Sequence, residues 1–177
     1  TPLSSSAASD VYKRQATIWL MSSHIAYLVL GTNLGNRSKN LQAARSEING
    51  LPKTKILQKS KIFKSPAYGP IKQPFFFNLA LEIKTELSAF ALLDQLQAIE
   101  RKLKREKNSH MKPRIIDIDI VFFDDLKINK PKLTIPHYDW HNRDFFIKPL
   151  LEINCIQVKN RLSEINSKIS QNLKPYE

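Results

Sequence analysis

The order of apolar segments between residues 24 and 123 constrains the fold of this chain more than any other feature. Residues 24–31 (HIAYLVLG) form a short apolar run that ends in glycine, which is typical of a buried strand. Asn36 follows, and asparagine favours the N-terminus of a helix. Apolar side chains then recur at helical spacing, at Leu41, Ala44, Ile48 and Leu51. The region therefore begins with a strand and an amphipathic helix.

The next part of the chain continues with the same two patterns. Residues 53–64, which are rich in lysine, predict a second strand, and residues 75–85 (FFFNLALEIKT) predict a third. Ser88 favours the start of a helix that runs to about residue 104, and residues 115–123 predict a fourth strand. The order β-α-β-β-α-β is the ferredoxin-like, α+β arrangement, with helices packed on one face of an antiparallel sheet. Short apolar pieces and a last helix near 162–173 are expected as a C-terminal extension.

Length and composition predict one domain. The chain has 177 residues, an ordinary size for a single core. Residues 1–20 are rich in serine and alanine, and we interpret them as a non-native or disordered leader before a single domain over 21–177. The apolar run at 16–21 is too short to span a membrane. The lone cysteine, Cys155, excludes an internal disulfide framework and is consistent with a cytoplasmic protein.

The charge of the chain is strongly positive and unevenly distributed. There are 28 Lys and Arg residues against 16 Asp and Glu, a net charge of +12. Residues 101–114 hold seven Lys or Arg and one Glu, and residues 53–64 hold five Lys and no acid. Such a balance indicates an anionic partner, which by charge alone is nucleic acid, a nucleotide or an acidic membrane surface. The second segment has no role that the sequence reveals.

Two carboxylates on the fourth predicted strand are the sharpest chemical signal. Asp117 and Asp119 alternate with isoleucines in the run IIDIDIVFF. Because side chains at i and i+2 of a strand share a face, the two carboxylates lie side by side while the isoleucines face the core. Paired carboxylates suit Mg²⁺ that is bound together with substrate phosphates. The alternative is an ordinary strand with polar residues on its solvated face.

The neighbouring basic residues favour the metal interpretation. Arg114 directly precedes the strand, and Arg105 lies in the basic segment before it. Carboxylates for metal ions together with guanidinium groups for phosphate oxygens are typical of phosphoryl transfer. The alternatives for the basic segment are a solvated charge run and a contact for an RNA backbone.

A second polar cluster lies at residues 135–143 (IPHYDWHNR). It contains His137, Tyr138, His141 and Arg143. His137 has the chemistry to bind phosphate or to act as an acid or base, although a single histidine is more often structural.

Four blocks together resemble one family, the 6-hydroxymethyl-7,8-dihydropterin pyrophosphokinases of folate biosynthesis. The blocks are 27–35 (YLVLGTNLG), 73–78 (QPFFFN), 113–120 (PRIIDIDI) and 135–143 (IPHYDWHNR). Their order and spacing match the family from about residue 26 to residue 153. The resemblance implies a transferase that moves pyrophosphate from ATP to the hydroxymethyl group of the pterin and releases AMP.

The resemblance also implies roles for individual residues. Asp117 and Asp119 correspond to the ligands of two Mg²⁺ ions, and Arg105 and Arg114 correspond to arginines that hold phosphates. The implied ATP-binding set is Gln97, Glu100, Ile120, His137, Tyr138 and Arg143. The implied pterin-binding set is Ser65, Pro66, Tyr68, Phe76, Asn78 and Phe145, with Phe76 and Phe145 stacking on the ring. Residues 101–114 are then a lid over ATP.

Departures from the family pattern fall mostly in this lid. Lys104 and Lys112 stand where the family commonly has glycine, and Met111 stands where an aromatic residue is common. Phe76 replaces a common tyrosine, which keeps the stacking face and loses a hydroxyl. The two alternatives to an active pyrophosphokinase are a basic ferredoxin-like module that binds RNA and a homologue with an impaired lid. For the enzyme we expect a monomer that acts on small molecules and binds neither nucleic acid nor a membrane.

Overall fold

The computed structural model describes residues 23–67, 72–103, 113–161, 165 and 174–175. The predicted leader, the expected helix at 162–173 except for residue 165, and the site residues Tyr68 and Arg105 lie outside these ranges. So do the lid positions Lys104, Met111 and Lys112.

The described residues form eight strands, four α-helices and one 3₁₀ turn. The strands are β1 (His24–Thr32), β2 (Thr54–Lys59), β3 (Phe63–Ser65), β4 (Phe76–Thr85), β5 (Asp117–Phe123), β6 (Ile128–Lys130), β7 (Leu133–Ile135) and β8 (Lys174–Pro175). The helices are α1 (Arg37–Asn49), α2 (Ala89–Lys102), α3 (Asp144–Glu152) and α4 (Ile156–Asn160), with the 3₁₀ turn at Trp140–Asn142. None of these helices has the length and apolar character that crossing a membrane requires.

One antiparallel sheet organises the molecule. Its strand order is β5-β1-β4-β3-β8, and β2 also pairs with β4. Strands β6 and β7 form a separate hairpin. The predicted second strand is in fact two strands, β2 and β3, separated at residues 60–62. The interruption is bonded to β4, because the Ser60 backbone N–H donates to Ala80 O (2.9 Å) and the Ala80 N–H donates to the Ser60 hydroxyl (2.9 Å).

Helices α1 and α2 begin where their capping residues predict. The Asn36 side chain accepts a hydrogen bond from the Lys39 N–H (3.1 Å), and the Ser88 hydroxyl accepts one from the Ala91 N–H (3.3 Å). Each bond satisfies one of the backbone donors that a helix N-terminus leaves unpaired. The two helices pack on one face of the sheet, through Leu41, Ala44 and Ile48 of α1 and Leu92, Leu96 and Ile99 of α2.

The other face of the sheet is covered as well, which the expectation of helices on one face did not include. Helices α3 and α4 and the 3₁₀ turn bury a second cluster there, with Trp140, Phe146, Ile147, Leu150 and Val158 packed against Tyr27, Val29, Val121 and Phe122. A register shift between β1 and β5 pairs Tyr27 with Phe122 but Leu28 with Ile120. Val121 is therefore the extra residue of a β-bulge, and it joins Phe122 on this second face.

On the second face of the sheet, the bulge separates the apolar part of β5 from the part that carries the two carboxylates. Asp117 pairs with Gly31 and Asp119 pairs with Val29 across the sheet. Since Val29 belongs to the second cluster, the two carboxylates share its face. Ile116, Ile118 and Ile120 are buried against the α1–α2 side, as the alternation predicts. The second face therefore changes from apolar packing to a carboxylate pair within one strand.

Candidate active site

The open part of this second face holds a cavity of about 350 Å³. The strands β1, β3, β4 and β5 form its floor, and residues 137–146 form a wall. Eleven residues of the sequence-predicted site line it, namely Ser65, Pro66, Phe76, Asn78, Arg114, Asp117, Asp119, His137, Tyr138, Arg143 and Phe145. Segments that are distant in the chain therefore meet around one space.

Asp117 and Asp119 form a like-charged pair in which the Asp119 carboxyl resists ionisation. Burial and the nearby Asp117 charge raise the pKa of Asp119 to about 8, against the lowering effects of Arg143 and Arg114. Asp117 itself is held by Arg114, whose Nη1 donates to its Oδ2 at 2.7 Å. A like-charged pair in which one member resists ionisation is the arrangement that a bound cation relieves.

Arg114 has donor capacity beyond its bond to Asp117. Its side chain is 17% exposed, and its Nε is buried without a hydrogen-bond partner among the described residues. Its backbone is fixed at both ends by Asn33, which donates its N–H to Arg114 O (3.1 Å) and accepts the Arg114 N–H at Oδ1 (2.8 Å). A buried guanidinium nitrogen without an acceptor fits an anionic ligand in the cavity.

The carboxylates fit magnesium better than a metal that the protein encloses. Nowhere in the described ranges do three or more His, Cys, Asp or Glu side chains cluster as a metal cage. Mg²⁺ is commonly bound through one or two carboxylates, with substrate phosphates and water filling its other positions. Asp117 and Asp119 supply that minimal set, and burial together with the Asp117 charge makes the Asp119 carboxylate the harder of the two to ionise.

His137 is a neutral hydrogen-bonding group in this site. Burial and the Arg143 charge lower its pKa to about 4. Its Nδ1 accepts the backbone N–H of Asp139 at 3.2 Å. The neutral ring therefore carries its proton on Nε2, which is then a donor. The ring stacks on Tyr138 with centroids 4.6 Å apart.

Arg143 is the second cation of the cavity, and its orientation is set by its neighbours. Its Nε donates to Asp139 Oδ2 at 3.0 Å and its Nη2 to the Tyr138 hydroxyl at 3.2 Å. Burial tends to raise the pKa of Asp139, but hydrogen bonds from Asn142 and Arg143 and the Arg143 charge bring it below its usual value. Asp139 is therefore an ionised anchor for Arg143.

An amide and aromatic rings also line the cavity. Asn78 is buried, and its Nδ2 donates to the Ser65 hydroxyl at 2.8 Å and to Phe63 O at 3.4 Å. Gly31 lies against this amide, since a Cβ there would come into ordinary van der Waals contact with Asn78 Oδ1 (3.4 Å) and the Phe76 ring (3.6 Å). The amide is thus fixed by its nitrogen, and no donor among the described residues bonds to its oxygen.

Three predicted ATP-binding residues do not line the cavity. Ile120 is in the buried core. Glu100 is also buried, and its Oε1 accepts the Ile118 backbone N–H at 2.7 Å. Gln97 lies half-buried on α2.

Five lining residues were missed by the sequence reasoning about sites, namely Val29, Gly31, Gln73, Asp139 and Phe146. All five lie within or just beyond the blocks that carry the family resemblance. Their side chains or backbone enter the cavity because of pairing across the sheet and the fold of residues 137–146, which no local pattern indicates.

Known proteins with similar sequences support one assignment. The family description 7,8-dihydro-6-hydroxymethylpterin-pyrophosphokinase (HPPK) matches residues 27–155. The chain is 42% identical over 128 residues to the 2-amino-4-hydroxy-6-hydroxymethyldihydropteridine pyrophosphokinase of Haemophilus influenzae, covering 72% of this chain and 80% of that protein. It is 36% identical over 136 residues to the Bacillus subtilis protein of the same name, covering 77% and 81%.

Solved structures agree on the fold. The chain resembles wild-type Plasmodium falciparum HPPK-DHPS with pteroate, with a TM-score of 0.62 and 17% identity over 87% of this chain. It spans 46% of that longer chain. None of these matches supports the RNA-binding alternative, and the residues behind the impaired-lid alternative lie outside the described ranges. The predicted function, a pyrophosphokinase of folate biosynthesis, is confirmed by the matched sequences, and this chain belongs to the HPPK family.

Proposed function

We propose that this cavity binds hydroxymethyldihydropterin beside ATP and catalyses pyrophosphate transfer between them. The pterin hydroxyl oxygen attacks the β-phosphorus of ATP. The bond from that phosphorus to the oxygen shared with the α-phosphorus breaks, AMP leaves, and the hydroxyl proton passes to solvent. The observation that carries the proposal is that one cavity contains both the Arg114–Asp117 pair and the fixed Asn78 amide with its neighbouring phenylalanines.

The Asn78 end of the cavity is the proposed pterin site. Because the Asn78 nitrogen is occupied by Ser65 and Phe63, its oxygen is the group that accepts from the pterin edge. Phe76 and Phe145 line the same space and offer stacking faces for a flat heterocycle. Ser65 and Pro66 complete the described part of this site, to which we add Tyr68.

The Arg114 end is the proposed triphosphate site. Arg114 and Arg143 provide guanidinium donors to phosphate oxygens, and the His137 Nε2–H provides a neutral donor between them. The cavity aligns the two substrates and places fixed positive charge where negative charge develops, which is the main demand of phosphoryl transfer. Arg105, from the basic segment, is proposed as a further phosphate contact.

Asp117 and Asp119 are the residues that we propose to hold two Mg²⁺ ions. When bound, such ions neutralise phosphate charge and polarise the phosphoryl oxygens. The two carboxylates lie on the same face of β5, two residues apart. Arg114 keeps Asp117 in place through the 2.7 Å hydrogen bond.

Several further expectations are part of the same proposal. Gln97, Glu100 and Ile120 are retained as ATP-binding residues because of the family resemblance. The core is proposed to be ferredoxin-like, which the strand order β5-β1-β4-β2 supports. We also propose a single domain over residues 21–177, a leader over 1–20, and a monomer that acts in the cytoplasm.

The direct test is AMP release from ATP, Mg²⁺ and hydroxymethyldihydropterin. The wild-type protein is expected to form AMP only when the pterin is present. Asp117→Asn keeps the size of the side chain but removes a carboxylate charge, and it is expected to lower the rate by about 100-fold or more. Absence of pterin-dependent AMP from the folded wild-type protein would contradict the proposed function.

The matched control is Asp125→Asn. Asp125 is an exposed aspartate just beyond β5 that does not line the cavity. The Asp125→Asn substitution makes the same change of charge as Asp117→Asn and should retain wild-type activity. If both variants lost activity equally, or if Asp117→Asn stayed active, the role of Asp117 would be wrong even though the family assignment stood.

A further inference from the structure

Three consecutive phenylalanines at 75–77 each face a different cation. Lys64 Nζ lies 4.7 Å from the Phe75 ring centroid, the Arg114 guanidinium lies 5.6 Å from that of Phe76, and the Arg37 guanidinium lies 4.7 Å from that of Phe77. Only Phe76 and Arg114 line the cavity. The two outer contacts therefore act on the backbone that carries Phe76.

Arg37 makes two contacts that straddle Phe76. It is the first residue of α1, and its Nη1 donates to Phe75 O at 2.9 Å. Its guanidinium also faces the ring of Phe77, which is 5% exposed and packed in the core. One planar side chain thus fixes the peptide carbonyl before Phe76 and the ring after it.

The stability of α1 does not explain a cation at this position. A positive side chain in the first turn opposes the helix dipole, and α1 has no acidic residue in its first turn to compensate. The contacts of Arg37 reach instead to the beginning of β4. The side chain itself does not line the cavity, so any effect on the substrate passes through Phe76.

We propose that Arg37 is a positioning residue for the pterin, because it fixes the backbone at both sides of Phe76 and so sets the plane of the stacking ring. The inference rests on the proposed pterin site and adds a residue to it. Guanidinium geometry matters here, since a planar group donates to a carbonyl with its edge while its face lies over an aromatic ring. An ammonium group satisfies only one of these contacts at a time.

The test is steady-state kinetics of Arg37→Ala and Arg37→Lys with both substrates. We expect Arg37→Ala to raise the KM for hydroxymethyldihydropterin by about three- to tenfold, while the KM for ATP stays within about twofold of wild type. Arg37→Lys should give a smaller rise in the same KM, of about two- to fourfold. The control is Lys39→Ala, which removes an exposed cation from the same helical turn and should leave both constants unchanged.

Two results would overturn the inference. One is an unchanged pterin KM in a folded Arg37 variant, and the other is an equal rise in both KM values, which a merely structural role predicts. If Arg37→Ala does not fold, Arg37→Lys alone decides between these results. Wild-type activity separates the two failures, since a wild-type enzyme that forms AMP keeps the proposed function even when Arg37 has no effect on the pterin.

Discussion

The half-buried imidazole of His137 predicts a specific loss of stability in acid. Burial and the Arg143 charge lower the pKa of His137 from 6.5 to about 4. The unfolded chain therefore takes up a proton near pH 6.5, while the folded protein resists that proton until about pH 4. Because the unfolded state binds more protons in this window, the free energy of unfolding falls as the pH decreases from 6.5 to 4. Above pH 7 the histidine contributes nothing to this dependence.

The size of the effect follows from the two pKa values. A shift of one pKa unit corresponds to about 1.4 kcal/mol. The His137 contribution between pH 7.5 and 5.5 is then about 1 kcal/mol of lost stability, and between pH 7.5 and 4.5 it is about 2–3 kcal/mol. Partial exposure of the ring lowers both figures by screening, so a measured loss of roughly 2 kcal/mol at pH 4.5 is expected.

Urea denaturation of wild type and His137→Gln at pH 7.5, 5.5 and 4.5 measures the contribution of His137 to the free energy of unfolding. All other titrating groups are shared, so they cancel when the decline of one protein is subtracted from that of the other. The variant is expected to lose less stability than wild type as the pH falls, whatever its stability at pH 7.5. His141→Gln, which leaves the His137 ring in place, should follow the wild-type decline. If the stability of wild type and of His137→Gln declined in parallel, the prediction that the folded protein keeps the His137 imidazole neutral would be refuted.

Two further predictions concern the cavity and the core. Arg114→Lys is expected to slow AMP formation by about 10- to 100-fold without unfolding the protein. The reason is that an ammonium group cannot hold both Asp117 and a phosphate as the planar guanidinium does. A rate within twofold of wild type would contradict this prediction. Phe122→Ala removes a ring that is 1% exposed and lies 5.2 Å from the Trp140 ring centroid. It should lower the free energy of unfolding in urea by about 3–5 kcal/mol, and a loss below about 1 kcal/mol would show that this second core tolerates a cavity.

The parts of the fold that the sequence predicted well depend on local chemistry. The Asn36 and Ser88 side chains accept hydrogen bonds from backbone donors three residues ahead. The starts of α1 and α2 are therefore determined by a few neighbouring residues. The alternation at 116–120 separates core isoleucines from the carboxylates of β5. Residue type at the caps and periodicity along the strand were sufficient for these features.

The parts that sequence reasoning missed depend on partners distant in the chain. The break between β2 and β3 is held by Ser60 bonding to Ala80, twenty residues away. The bulge at Val121 becomes visible only in the pairing of β5 with β1. Asp139 is part of the site because its carboxylate accepts a hydrogen bond from Arg143 and its backbone N–H donates to His137. Such contacts leave no regular pattern in the sequence.

The exposed lysines of β2, within the basic segment at 53–64, have a physical explanation that needs no anionic ligand. Within the described part of the chain, β2 pairs only with β4, so its other edge is open. Lys55 and Lys59 are exposed on this strand, and Lys55 pairs directly with the exposed Lys84 of β4. Like charges in direct register oppose stability, so these lysines are not there to strengthen the sheet. Lysines on an open edge instead hinder the addition of another strand. We infer two separate uses of positive charge in the described residues, one at the proposed phosphate site around Arg114 and one at the β2 edge.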